Sequence, residues 1–348
     1  LEVIATQDIH NGNVVIVFDP KGDGDLLARL YTEAKRAGRE ERFQVFHLGF
    51  PDKSVSYNPV GSYSRITEVA TRIAGQLPNE GNSAAFREFA WRYVNVIAKA
   101  LDDMSEPINY QNLLDSGSDI DQLLSRYLAY VAAEAGLETW TDRVGAMVDS
   151  DIKLPPQMKG RDRRAWASVE CFRECQLESQ TANSLIKTFE HDKSHFDKLV
   201  ASLFPLLEKL TSGPAAQLLS PTDTGERSHR RLNWGQVIKS GGIVYVGLDA
   251  LSDPDVASAV GNAMFADLTS VAGSLYKESQ SGGTAPRISV HADEFNELVG
   301  REFVPLANKA GGAGFQLTAY TQTLSDIVAR FDSQARAGQV VGNLGTLI

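Results

Sequence analysis

Residues Val14–Phe18 form an unbroken run of five apolar, mostly β-branched residues. A short apolar run without polar alternation is typical of a strand that is buried on both faces of a parallel sheet. The next residues, Asp19–Asp25, read DPKGDGD and predict a turn. Helical spacing over Leu26–Gly38 and a second strand pattern over Phe43–Leu48 follow. This order of strand, helix and strand predicts a parallel sheet with crossover helices.

The same alternation of strands and helices returns near the end of the sequence. Further strands are predicted at Gly242–Leu248, Arg287–Glu294 and Phe315–Tyr320. Helices are predicted at Leu1–Asn11, from Pro254 to about Tyr276, around Phe303–Ala310 and around Leu324–Phe331. Val340–Ile348 is interpreted as the start of one more strand.

The residues between these two parts have a different character. From Ile66 to about Leu219 helical periodicity runs almost throughout, without a convincing strand. We therefore expect an α/β protein whose mainly parallel, three-layer sheet is interrupted by an all-α insertion. The expected sheet segments are residues 1–65 and 233–348, and the expected insertion is residues 66–232.

The composition limits the classes of function. A net charge of -10 and a pI of about 5.2 exclude a uniformly basic nucleic-acid-binding surface, although a local basic channel is compatible with them. The sequence has no run of about 18 apolar residues, so it predicts no membrane span. Cys171 and Cys175 are too few for a disulfide framework and are interpreted as two free thiols.

Two adjacent carboxylates, Asp293 and Glu294, end the segment RISVHADE. A buried strand that ends in two acids has the form of a Walker B strand. There the first carboxylate holds Mg²⁺, and the second orients and deprotonates the water that attacks a phosphate. The alternative is an acidic helix N-terminus, which the helix dipole also favours. The sequence contains no G-x-x-x-x-G-K-[ST] loop to hold the phosphates.

Three further polar residues follow predicted strands, at the edge of a parallel sheet where ligands bind. Gln322 comes just after the strand Phe315–Tyr320 and could sense a γ-phosphate or position water; the alternative is a polar residue near a helix cap. Asp19 and Lys21 follow the first strand in the same way. A turn needs proline and glycine but not the lysine between them. We therefore treat Asp19 and Lys21 as candidate cofactor-binding residues.

Two basic clusters, each with a tryptophan, are candidate contacts to DNA; the alternative is that each is a solvated face. They are Lys159, Arg161, Arg163 and Arg164 with Trp166, and Arg227, His229, Arg230 and Arg231 with Trp234. The segment Gly311–Gly314 resembles a phosphate cradle but lacks lysine and follows a helix, which favours close packing at a helix end.

Three segments together resemble the TraD/TraG-type conjugative coupling proteins, most closely the TraD group of integrating conjugative elements. They are VVIVFDPKGDGDLL, SYNPVG and HADEFNELVGREFVPLANKAGGAGFQLTAYTQT, and the resemblance covers nearly the whole chain. It implies a RecA-like P-loop NTPase fold in a hexameric motor on the cytoplasmic face of the inner membrane. Such motors use ATP and Mg²⁺ to pass single-stranded DNA and its relaxase into a type IV secretion system.

The resemblance also implies a role for each candidate residue. Asp293 would serve Mg²⁺, Glu294 would activate water and Gln322 would be the sensor, while Asp19 and Lys21 match the DPK turn of the family.

Relatives can place an arginine finger in the glycine-rich turn, where this chain has Gly311 or Gly312. Lys309 and Arg301 are the candidate substitutes, and the alternative is a finger elsewhere. The comparison further implies a fragment that begins after the Walker A loop. We therefore expect these residues alone neither to bind ATP tightly nor to hydrolyse it. We also expect a gap in the sheet beside the acid-pair strand, with low stability.

Two alternatives remain at this point. The helical insertion could make the chain a docking module for a relaxase or an accessory protein, without ATPase activity of its own. A HerA/FtsK-type DNA translocase shares the DPK turn and the acid pair, but the long helical insertion argues against it.

Overall fold

A computed structural model describes residues 1–77, 83–150, 152–191, 200–221, 231–280, 286–298, 303–331 and 333–346. The strands are β1 (Val14–Asp19), β2 (Phe43–His47), β3 (Ile243–Gly247), β4 (Ile288–Ala292) and β5 (Phe315–Ala319). All of the predicted strands from Val14 to Tyr320 are therefore present, within one or two residues of the predicted bounds.

Ten of the described helices lie between Glu2 and Leu210. They are α1 (Glu2–His10), α2 (Gly24–Arg36), α3 (Thr67–Ala74), α4 (Ser83–Asp103), α5 (Tyr110–Ser118), α6 (Ile120–Glu134), α7 (Trp140–Asp149), α8 (Arg163–Glu174), α9 (Gln180–Phe189) and α10 (Leu203–Leu210). The other seven are α11 (Gly213–Leu219), α12 (Trp234–Ser240), α13 (Pro254–Gln280), α14 (Phe295–Leu298), α15 (Phe303–Lys309), α16 (Leu324–Phe331) and α17 (Gln334–Val341).

The five strands form one parallel sheet in the order β2-β3-β1-β4-β5. Strands β1, β3 and β4 are buried at every position, as the unbroken apolar runs of β1 and β3 predict. Because both neighbours of β4 are present, β1 on one side and β5 on the other, the expected gap beside the acid-pair strand does not occur. That expectation was wrong. The gap was the reason to expect low stability, so that reason no longer holds.

Helices cover both faces of the sheet. On one face Val15 and Val17 of β1 pack with Ile9 of α1 and Leu30 of α2. On the other face the ring of Phe18 lies 4.5 Å from that of Phe265 in α13. Alternate residues of β1 thus enter two separate cores. The predicted α/β class with a parallel, three-layer sheet is confirmed.

The chain divides into two compact units, one of residues 1–62 and 210–348 and the other of residues 63–209. The first unit holds the sheet. The second is helical throughout its described residues, with Tyr93, Leu124, Leu128 and Phe189 buried in a core of its own. The predicted insertion, residues 66–232, ends later than this unit; its assignment as a functional domain stays a prediction.

Residues at the end of the chain depart from the sequence interpretation. The segment that begins at Val340 was interpreted as a strand, but Val340 and Val341 end helix α17. The side chain of Ser333 accepts a hydrogen bond from the N–H of Arg336 and starts this helix. Ala337 and Val340, spaced by one helical turn, supply its buried face. Among the helices described, none combines the length and apolarity needed to cross a membrane.

Candidate functional site

The three turns that carry the predicted site residues lie side by side. Asp19 ends β1, Asp293 and Glu294 directly follow β4, and Gln322 comes shortly after β5. Because β1, β4 and β5 are parallel neighbours, their carboxyl ends reach the same edge of the sheet. That edge is where α/β sheets bind ligands.

Asp19 shapes the DPKGD turn. Its side chain is buried, and Oδ1 accepts hydrogen bonds from the backbone N–H groups of Lys21 (2.9 Å) and Gly22 (3.0 Å). Its Oδ2 accepts the N–H of Asp23 at 2.7 Å and the hydroxyl of Tyr245 at 2.6 Å. A carboxylate with four donors is committed to holding the turn. The assignment of Asp19 as a cofactor-binding residue stays a prediction.

His47 at the end of β2 fixes the turn from outside. Its Nε2 lies 3.3 Å from the carbonyl oxygen of Gly22, which has a φ of +73°. A Cβ on Gly22 would lie 2.6 Å from the same Nε2. A Cβ on Gly247, at the end of β3, would also overlap the His47 ring. Gly22 is therefore required both by its backbone conformation and by the close approach of His47.

One carboxylate oxygen of Glu294, Oε1, contacts both Lys21 and Gln322. The Nζ of Lys21 lies 2.6 Å from Oε1 of Glu294, and the Nε2 of Gln322 donates to the same oxygen at 3.2 Å. The hydrogen bond from Lys21 holds the pKa of Glu294 below its ordinary value, and the same contact raises the pKa of Lys21. Both groups are thus charged at neutral pH. Side chains from two other turns thus contact the carboxylate of Glu294. The catalytic roles predicted for Glu294 and Gln322 stay predictions.

Asp293 has a different environment from its neighbour. It is partly buried, and its N–H donates to the carbonyl of Phe18 at 2.9 Å. Burial, followed by the charge of Asp19, raises the pKa of Asp293 above its ordinary value. The two adjacent acids therefore have pKa values displaced in opposite directions, a separation that often accompanies different chemical roles.

Glu294 also carries backbone strain. Its φ is +39°, in the left-handed region that non-glycine residues rarely adopt. The N–H of the next residue, Phe295, donates to the carbonyl of Tyr320 at 2.7 Å and holds the chain in this conformation. Such strain costs about 1–3 kcal/mol and concentrates at functional sites.

The donor set suits Mg²⁺ better than a transition metal. Asp293 and Glu294 offer carboxylate oxygens, the ligands that Mg²⁺ prefers. Within the described residues no group of three or more His, Cys, Asp or Glu side chains could hold an ion alone. Mg²⁺ commonly takes one or two protein carboxylates and completes its coordination with water and phosphate oxygens.

A buried polar network lies under the site, and sequence reasoning missed it. His291 of β4 is fully buried, with Nε2 3.0 Å from Oδ2 of Asp8 in α1 and Nδ1 3.2 Å from the hydroxyl of Tyr320. Asn13 donates to Oδ1 of Asp8 at 2.9 Å and to Oγ of Ser289 at 3.3 Å. In RISVHA, the polar residues Ser289 and His291 alternate with apolar residues. Polar residues inside a buried strand were the sequence signal that could have predicted this network. The network connects α1 to the strand that carries the acid pair.

The first basic cluster has a structural role at its centre. Arg161 is buried, and its Nη1 lies 3.0 Å from Oδ1 of Asp121, while its guanidinium covers the ring of Phe189. The face of Trp166 is occupied by Arg173, whose Cζ lies 5.7 Å from the ring centroid. Arg161 is therefore not available to DNA in this structure.

The second basic cluster is also corrected. Trp234 is buried and cannot stack on a base. Arg231 is exposed, while Arg227, His229 and Arg230 lie outside the described residues. Among the candidates for the arginine finger, Arg301 and the side chain of Lys309 lie outside the described part of the chain, and Gly311 and Gly312 occupy a 3₁₀ turn.

Comparison with known proteins gives limited likenesses. No protein-family model matches the chain, and no curated protein matches it. The chain is similar to the bacterial conjugative coupling protein TrwB lacking its first 70 residues, with a TM-score of 0.48 and 11% identity, over 97% of this chain and 67% of that one.

Two other forms of the plasmid coupling protein TrwB give similar values. The complex with the non-hydrolysable ATP analogue ADPNP matches with a TM-score of 0.47 and 12% identity, over 96% of this chain and 70% of that one. The complex with ADP and Mg²⁺ matches with a TM-score of 0.45 and 10% identity, over 97% of this chain and 69% of that one.

Proposed function

We propose that this chain forms the water-activating part of an ATP-hydrolysing motor of the conjugative coupling type. The observation that carries the proposal is the shared Oε1 of Glu294, which contacts both Lys21 and Gln322. Three predicted site residues from separate turns meet at a strained carboxylate beside a second acid. The RecA-like fold expected from the motifs is compatible with the parallel sheet described above.

In the proposed mechanism Asp293 would hold Mg²⁺, and the bound ion would supply charge that neutralises the phosphates. Glu294 accepts a proton from the attacking water, and its strained backbone fixes the carboxylate at the sheet edge. Gln322 keeps that carboxylate oriented through its amide and orients the water relative to the γ-phosphate. The phosphates themselves require a binding loop that the sequence does not contain.

The wider role follows the resemblance of the motifs. We propose single-stranded DNA with its relaxase as the substrate and type IV secretion components as partners. We further propose a homo-hexamer at the cytoplasmic face of the inner membrane. The TraD group is the proposed subfamily, and the given chain is proposed to be part of a longer protein.

The test is a charge-neutral substitution of the proposed base, Glu294→Gln, in the full-length protein. Loss of a positioned base lowers the rate of ATP hydrolysis by about 10²–10⁴-fold. The affinity for ATP, measured by calorimetry, should not fall, because the base contributes little to ground-state binding. Glu297→Gln, an exposed residue of α14, is the matched control. Normal turnover in Glu294→Gln would exclude the proposed role.

A second candidate function is a docking module without ATPase activity. The supporting observation is that residues 63–209 form a compact helical unit with its own core. A pull-down with residues 66–232, relaxase as prey and the sheet segments as control, separates the candidates. Failure to retain relaxase would argue against the module.

A further inference from the structure

The two partners of Glu294 differ in their effect on its chemistry. Gln322 brings a neutral amide, so it can hold the carboxylate while the other oxygen accepts a proton. Lys21 brings an ammonium group, which lies 2.6 Å from Oε1 of Glu294 and competes with water and metal ions for the carboxylate. The contact with Lys21 therefore opposes the function proposed for Glu294.

The backbones on both sides of this ion pair are held in place. The N–H of Lys21 is bound to Oδ1 of Asp19, and that carboxylate is buried. Glu294 lies between two residues whose N–H groups donate to backbone carbonyls, Asp293 to Phe18 and Phe295 to Tyr320. The part that can move is the side chain of Lys21.

Exposure shows how easily that part can move. The side chain of Lys21 is 54% exposed, whereas that of Glu294 is 17% exposed. Exposed ion pairs contribute little to stability, so breaking one demands little free energy. A phosphate oxygen at the same sheet edge would compete with Glu294 for the ammonium group.

We propose that Lys21 is a restraint on Glu294: its ammonium group occupies the carboxylate until an anionic phosphate at the sheet edge draws Lys21 away. This inference rests on the proposed function of Glu294 and concerns the regulation of the same site. Without phosphate, Lys21 is a positioning residue that holds the carboxylate of Glu294. After its release from Glu294, Lys21 contacts the phosphate.

The test compares Mn²⁺ binding by three variants of the 348-residue chain in the absence of phosphate. Lys21→Met removes the charge and keeps the length, Lys21→Arg keeps the charge, and Lys53→Met is a control at an exposed lysine after β2. Lys53→Met should bind Mn²⁺ like the parent.

Mn²⁺ is used alone, so the test needs no turnover. Without the ammonium group the acid pair loses a competing cation, so Lys21→Met should bind Mn²⁺ about fivefold more tightly by water proton relaxation. Lys21→Arg should bind like the parent. Equal affinities in Lys21→Met and the parent overturn the restraint. Normal hydrolysis in Glu294→Gln overturns the proposed function instead, which keeps the two failures distinct.

Discussion

The hydroxyl of Tyr245 in β3 donates a 2.6 Å hydrogen bond to Oδ2 of Asp19 at the end of β1, joining two adjacent strands just below the DPKGD turn. Hydrogen bonds to charged groups contribute about 1.5–3 kcal/mol. Tyr245→Phe should therefore lower the free energy of unfolding by about 2 kcal/mol in urea titrations. Tyr31→Phe, at an exposed position of α2, is the control. Equal losses in the two variants would contradict the role of this hydrogen bond.

Two glycines allow the steric role of His47 to be measured. Gly22 and Gly12 both have positive φ, +73° and +80°. A Cβ would meet Nε2 of His47 at 2.6 Å at Gly22, and nothing within 4 Å at Gly12.

Gly12→Ala should cost about 1–2 kcal/mol from the backbone conformation alone. Gly22→Ala should cost about 1–3 kcal/mol more, because the methyl group overlaps the imidazole. Chemical denaturation checks both values. In the His47→Ala background, Gly22→Ala should cost little more than the backbone conformation alone. An additional cost that persists without the imidazole would disprove the assigned steric cause.

A pH-dependent contact joins α1 and α2. Glu33 is buried, with its carboxylate 3.0 Å from Nε2 of His10 and 2.7 Å from Nη1 of Arg36. The hydrogen bond from His10 lowers the pKa of Glu33 below its ordinary 4.5. A lowered pKa means that this stabilisation is present above pH 4.5 and is lost as the pH falls through the folded-state pKa.

Glu33→Gln should therefore lower Tm at pH 7. The Tm difference from the parent should become smaller as the pH falls below the ordinary pKa of the carboxyl. Thermal unfolding followed by circular dichroism across this pH range measures the difference from the parent. Glu41→Gln, at an exposed position before β2, is the control. A Tm difference that does not depend on pH would contradict the electrostatic origin.

The helical unit offers a test of the corrected basic cluster. Arg161 is buried and Asp121 is partly buried, and losing the guanidinium from this pair costs about 1.5–3 kcal/mol, the contribution of a hydrogen bond to a charged group. Arg161→Met should therefore accelerate hydrogen exchange in α6 and α8 without a specific loss of DNA affinity. Arg164→Met, at an exposed position of α8, should change stability by less than about 0.5 kcal/mol. Weaker DNA binding by Arg161→Met at unchanged stability would restore the interpretation as a DNA contact.

The sequence predicted the elements whose patterns are local. Unbroken apolar runs predicted β1 and β3, because a strand buried on both faces tolerates few polar residues. The shared position of Lys21, Glu294 and Gln322 followed from one rule, that parallel strands end at one edge.

Contacts between distant residues could not be predicted. His291 and Asp8 lie 283 residues apart, and no local pattern pairs them. The hydroxyl of Tyr245 pairs with Asp19 across 226 residues, although its position in GIVYVGL predicts only burial. The left-handed conformation of Glu294 is equally non-local, since it depends on the hydrogen bond between Phe295 and Tyr320.

The pairing of β1 with β4 sets Phe18 opposite Ala292, and the turns that carry Lys21 and Glu294 start from this pair. A slip of one residue between these strands would move the ammonium group by about 3.3 Å along the sheet and turn each side chain to the other face. The charge pair forms only when the two strands are correctly aligned. Protection of Lys21 from amine-reactive labelling would thus report, during refolding, the moment at which the centre of the sheet reaches its native register.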